Sequence, residues 1–103
     1  MSDGAKKFDT GKTQWTCLPL LAVEEMARVM THGAQKYGAR NFLEGGGLAF
    51  SRLSDAMLRH FTAFWKRDEI DGESGLNHLA HAMCCLGMML EYIKRGKGID
   101  DRP

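Results

Sequence analysis

Three pairs of side chains in this sequence have types and spacing that could do chemistry: Glu24 and Glu25, His78 and His81, and Asp71 and Glu73. Adjacent carboxylates on a helix point about 100° apart and can reach one metal cluster from one side. They can equally form a solvated helix face. Imidazoles at i, i+3 lie one turn apart on one side of a helix. Here that side is shared with Ala82, Cys85 and Met89 and is otherwise apolar, so both rings need partners. Either backbone or carboxylate groups satisfy them as core residues, or they act as metal ligands or a proton-transfer pair. Asp71 and Glu73 stand in D-G-E-S ahead of the same segment. Carboxylates there complement a helix dipole, and they also suit Mg²⁺, a hard ion that prefers oxygen ligands. No second ligand pair has zinc-finger spacing, and no His-Asp dipeptide occurs. A serine or cysteine nucleophile lacks a locally paired histidine.

The cations Lys12, Lys36, Arg40, Arg52, Arg59 and Lys66 are spread over the chain. Any one alone reads as a solvated surface group. Interleaved with carboxylates, they fit a site that binds metal and polyphosphate together.

Three helices are expected to position these groups. Proline suits a first helical turn, so the first helix starts near Pro19, with Thr16 as a cap, and stops at Gly38. Glu24, Glu25, Arg28, Thr31, His32, Gln35 and Lys36 fall on an arc of roughly 140°, opposite Val23, Met26, Val29, Met30, Ala34 and Tyr37. Residues 39–47 form a loop whose three glycines, Gly45 to Gly47, lack the phosphate-loop pattern and read as a mobile connection. A second helix over 48–67 carries Arg52, Asp55, Arg59, Thr62 and Lys66 on one face and Leu53, Met57, His60, Phe61, Phe64 and Trp65 on the other. A third, from about Gly75 to Lys94 and capped by Ser74 or Asp71, is apolar nearly all round from Leu79 to Ile93. Such a helix is buried centrally or sits in an interface, and in so short a chain an interface between subunits is expected.

With 103 residues the chain is one domain, 1–103, with an N-terminal arm over 1–15 and a flexible tail over 95–103. Fourteen Lys and Arg against thirteen Asp and Glu leave a net charge of +1, a poor balance for generic nucleic-acid binding. An apolar content of 44% excludes bulk disorder. No apolar run approaches the roughly 18 residues of a membrane span, and the polar N-terminus has no signal-peptide core. Three cysteines, one pair of them vicinal, make no disulfide framework, which fits a reducing cytoplasm.

Four stretches carry a family resemblance: KFDTGK (7–12), the Glu-Glu helix running into GAQKYGARNF (33–42), LRHFTAFW (58–65) and DGESGLNHLAHA (71–82). Over residues 7–93 the chain resembles the phage dATP/dGTP diphosphohydrolase group, the MazZ branch of the MazG-like nucleoside triphosphate pyrophosphohydrolases. The resemblance implies an all-α, MazG-like helical bundle completed by homo-oligomerisation as a dimer or tetramer. It implies Mg²⁺- or Mn²⁺-dependent cleavage of dGTP and dATP between the α and β phosphates, giving the monophosphate and pyrophosphate. Glu25, His78 and His81 would be catalytic, and Glu24, Glu25, Asp71 and Glu73 would hold metal. Lys12, Lys36, Tyr37, Asn41, Arg59 and His60 would contact the substrate, and Phe42 or Trp15 are further stacking candidates for the purine. The wider pattern is E-E-x-x-E followed by E-x-x-D. In this chain Arg28 takes the third carboxylate's place, and His78 and His81 stand where E and D would. With a glutamate lost, a non-catalytic nucleotide-binding module on the same scaffold is the alternative. A third reading is a helical interaction protein whose apolar third helix only drives assembly.

Overall fold

Proline has no N–H to leave unpaired at a helix start, and the first helix, α1 (Leu20–Tyr37), follows Pro19 directly. Thr16 does not cap it; it lies in a short 3₁₀ turn, Trp15–Cys17. Gly38, at φ +95°, ends α1 and donates its N–H to the Ala34 carbonyl at 2.8 Å. α2 spans Phe50–Trp65 and α3 spans His78–Arg95. The computed structural model describes residues 4–103; residues 1–3 of the expected arm lie outside the described residues. Among the described residues only two isolated bridges accompany the helices, so the fold is all-α.

α3 begins at His78, three residues later than the sequence suggests, with Asn77 before it. Ser74 and Asp71 are not its caps, because their polar atoms are used on each other within the preceding loop. α3 is the middle element. One side packs on α1 through Val29, Ala80 and Cys84, with Met26 and Met30 against them. The other packs on α2 through Phe50, Leu53 and Tyr92.

Tyr92 is fully buried. Its hydroxyl donates to the Phe42 carbonyl at 2.5 Å and accepts the Leu48 N–H at 3.0 Å. That fastens the glycine loop, so the loop is not the mobile connection expected. Gly47, at φ +85°, backs onto the Tyr92 ring so closely that a Cβ there would sit 3.0 Å from it. The tail is not frayed either. Ile99 exchanges backbone hydrogen bonds with Leu48 and Phe50, and Lys97 Nζ reaches the Leu43 and Gly45 carbonyls. Asp101 accepts the Ser51 N–H at 2.9 Å, a cap that Ala49, the residue preceding α2, cannot supply itself.

Much apolar surface stays outside. Leu79, Leu86, Leu90 and Ile93 form an exposed ridge along α3, and Phe61 and Trp65 are exposed on α2 rather than packed inward as the helical pattern suggests. The radius of gyration is 17.1 Å, against about 13 Å for a closed domain of this length. Among the described residues no helix is long and apolar enough to cross a membrane.

Candidate functional site

The loop between α2 and α3 is folded by its own polar groups. Arg67, at φ +70°, turns the chain out of α2. Asp71 Oδ2 then accepts both the N–H of Ser74, at 2.9 Å, and its hydroxyl, at 2.7 Å. This is an Asx-type turn, in which a short side chain replaces a backbone acceptor. Asp71 N–H donates to the Leu76 carbonyl and His78 N–H to the Glu69 carbonyl, each at 2.8 Å. The loop thus arrives at α3 already shaped.

Around it three imidazoles meet. Ser74 Oγ lies 2.7 Å from His81 Nε2. The hydroxyl hydrogen goes to Asp71, so the proton of this contact is assigned to His81 Nε2. Ser74 therefore orients its neighbours and has no proton to give a base. His60, from α2, stacks on His81 with ring centroids 4.4 Å apart at 10°. Its Nδ1 lies 2.8 Å from His78 Nδ1, so one of these two nitrogens carries a hydrogen. Burial pushes the His60 imidazole below its usual range, aided by the neighbouring His81 and His78. Burial likewise lowers His81, with Asp71 opposing in part. Burial would raise the Asp71 carboxyl, but the hydrogen bonds from Ser74 outweigh it and hold the group below normal. Near neutral pH the cluster offers uncharged His60 and His81 rings beside a carboxylate.

His78 is buried, and its Nε2 has no hydrogen-bond partner. Asp68 Oδ2 lies 3.5 Å from that nitrogen without a hydrogen bond, an ion contact only when the ring is protonated. An unsatisfied buried nitrogen costs about 1–3 kcal/mol, and such groups in native folds ask for a reason beyond packing. Among the described residues, one group of metal-capable donors converges within 4.8 Å: His60, Asp71 and His78.

Asp68 also lines an open cleft of about 650 Å³ on α2, with Arg59, Thr62 and Lys66 on its wall and Asp55 at its edge. The size suits a small-molecule ligand. Asp68 lines the cleft and contacts His78, so the cleft and the imidazole cluster adjoin there.

The carboxylates expected to share a metal do not gather. Glu24 bonds Arg28 at 3.1 Å on an exposed face. Glu25 accepts from Asn77 Nδ2 at 3.1 Å and faces a smaller hollow of about 300 Å³ beside Phe64 and Glu69. Glu73 is held by Lys36 at 2.6 Å, which raises the lysine and lowers the glutamate from their usual values. The all-oxygen Mg²⁺ set implied by the resemblance therefore does not fit the arrangement on one protomer. Tyr37 is exposed with Lys36 Nζ 5.1 Å over its ring, Asn41 opens a 3₁₀ turn, and Lys12 is exposed on the arm. Phe42 packs on Tyr92 and is not offered to a ligand, whereas Trp15 is exposed.

Asp68, Asn77 and the orienting role of Ser74 escape a reading of the sequence. Only the D-x-x-S spacing from Asp71 to Ser74 carried a signal, that of an Asx turn.

Comparison with known proteins adds the relationship. No solved structure matches the chain. A dATP/dGTP diphosphohydrolase of Salmonella phage PMBT28 is 38% identical over 96 residues, 93% of this chain and 32% of that protein. The chain thus spans about a third of its relative's length. The family described as "dATP/dGTP diphosphohydrolase, N-terminal" matches residues 2–102. With nearly every residue inside that match, the chain belongs to the dATP/dGTP diphosphohydrolase family, in its N-terminal part.

Proposed function

We propose that the chain hydrolyses purine deoxynucleoside triphosphates, dGTP and dATP, between the α and β phosphates, releasing the monophosphate and pyrophosphate. The observation that carries this reading is the meeting, through Asp68 and His78, of a preorganised cluster of imidazoles with a cleft that holds two cations, Arg59 and Lys66, beside two carboxylates. The name of the phage relative supports the substrate class.

Arg59 presents a planar fork to phosphate oxygens and Lys66 a point charge, with the Thr62 hydroxyl between them in sequence. With the shared hydrogen on its Nδ1, His78 keeps a lone pair on Nε2, buried behind the cleft residue Asp68. Asp68, on the cleft wall, would pass the proton of the attacking water inward to that nitrogen. The water oxygen bonds to phosphorus, the P–O–P bond breaks, and pyrophosphate leaves. Asp68, 3.5 Å away, stabilises the imidazolium. Mg²⁺ or Mn²⁺ accompanying the triphosphate would be held by phosphate oxygens and one or two cleft carboxylates, Asp55 and Asp68. When bound it polarises phosphate oxygens and neutralises the leaving group. The exposed α3 ridge and open shape support a homo-oligomer, in which a second copy covers Leu86, Leu90 and Ile93.

A non-catalytic nucleotide-binding module is the second reading, favoured by the engagement of Glu24, Glu25 and Glu73 by neighbouring side chains. The two separate in one experiment: dGTP and dATP are incubated with the protein and Mg²⁺ or Mn²⁺, with melting curves alongside. Turnover supports the enzyme, and thermal stabilisation without turnover selects the module.

A further inference from the structure

Five side chains, His60, Asp71, Ser74, His78 and His81, meet at one spot between α2 and α3. His60 comes from α2, Asp71 from the loop and His78 from α3, and one donor atom of each lies within 4.8 Å of the others. Donors around one ion at ~2.0–2.2 Å stand roughly 3 to 4.3 Å apart, so a shift of a few tenths of an ångström closes this group on a cation. The Ser74 hydrogen bonds both land on Asp71 Oδ2, which fixes the carboxylate and leaves Oδ1 outside these bonds. His81 anchors Ser74 in turn and stacks on His60. Hydrogen-bonded supports of this kind orient ligands at metal sites. His78, more than nine-tenths buried, meets His60 through Nδ1 and keeps a second nitrogen, Nε2, without a hydrogen bond, 3.5 Å from Asp68.

A satisfied histidine core explains less. Two Nδ1 atoms at 2.8 Å need one proton between them, and the remaining nitrogen of His78 is left without a bond. Mg²⁺ is a poor occupant, because it demands oxygen ligands and retains water. Imidazole donors suit divalent transition ions.

The geometry points to a resident site for a divalent transition ion at His60, Asp71 and His78, chemically distinct from Mg²⁺ carried by a nucleotide. An ion on His78 and proton acceptance by the same ring are alternative states, so the site is tested on the nucleotide-free protein, where its failure and that of the hydrolase reading stay distinguishable.

The test uses the full chain, stripped with chelator and free of nucleotide, titrated with Co²⁺ as a spectroscopic probe and with Zn²⁺ and Mg²⁺ in parallel. One Co²⁺ per chain is expected, with visible d–d absorption showing nitrogen ligation. Zn²⁺ should displace it, and a hundredfold excess of Mg²⁺ should not. Asp71→Asn keeps the shape and one acceptor for Ser74 but removes the charge, and should weaken Co²⁺ binding at least tenfold. His60→Gln should do the same and alter the spectrum. Cys17→Ser removes the exposed thiol and should leave both affinity and spectrum unchanged. The proposal is overturned by sub-stoichiometric Co²⁺ binding, by displacement with equimolar Mg²⁺, or by loss of the signal in Cys17→Ser. Wild-type affinity in both Asp71→Asn and His60→Gln, with melting curves showing each folded, overturns it as well.

Discussion

In His78→Leu the side chain keeps roughly its bulk and loses both ring nitrogens. The wild-type ring makes one hydrogen bond, to His60 Nδ1 at 2.8 Å, and buries Nε2 without one. Losing the bond costs about 1 kcal/mol net, and removing the unsatisfied nitrogen returns about 1–3 kcal/mol. His60 is only half-buried, so water can replace its lost partner. The two terms nearly cancel, and the metal-free variant should stay within about 1 kcal/mol of wild type or exceed it. That is a shift in Tm of no more than about 4–8 °C for a chain this size. Core substitutions that disrupt packing typically cost about 2–5 kcal/mol. Turnover of dGTP, by contrast, should fall at least a hundredfold, because the lone pair behind Asp68 is gone. Urea melts of chelator-treated protein at fixed concentration and initial rates with Mn²⁺ measure the two quantities. A loss above about 3 kcal/mol would make His78 a structural core residue, and an unchanged rate would remove it from the chemistry.

Other consequences are as direct. Arg59→Ala should raise KM for dGTP about tenfold or more, since a charge-assisted bond is worth about 1.5–3 kcal/mol, with the melting curve unmoved; an unchanged KM would mark Arg59 as a solvated cation. Burial pushes the Cys84 thiol up to about 12 and raises Cys85 also. Thiolate at Cys84 is then about one part in 10⁴ at pH 8, and iodoacetamide should label Cys17 alone until the chain unfolds. Leu86→Glu with Leu90→Glu should lower the sedimentation coefficient to that of a monomer if the α3 ridge is a subunit interface; an unaltered coefficient would place the interface elsewhere.

Helix number and order were legible because proline and glycine punctuate the chain and the 3.6-residue periodicity of α1 and α2 is regular. Two boundaries were not. Ser74 and Asp71 have the composition of helix caps, yet they pair with each other, and Asn77 takes the place before α3. The tail looks polar and glycine-rich, but its Asp101 supplies the donor-satisfying carboxylate that Ala49 lacks at α2. These partners are about 50 residues apart, and local pattern cannot join them. The same limit governs the site. His78 and His81 announce themselves by spacing on an apolar helix, whereas His60 sits in another segment and joins them only through α2–α3 packing. Glu24 and Glu25 look as ligand-like as any pair in the chain, and only the structure shows Arg28 and Asn77 engaging them.

The central claim is cleavage between the α and β phosphates, and product identity tests it most directly. Purified protein is incubated with dGTP and Mn²⁺, and nucleotides and phosphates are quantified by chromatography over the course of turnover. Equimolar dGMP and pyrophosphate, with no dGDP, is the expected result. Release of inorganic phosphate with dGDP, or of triphosphate with deoxyguanosine, would contradict it.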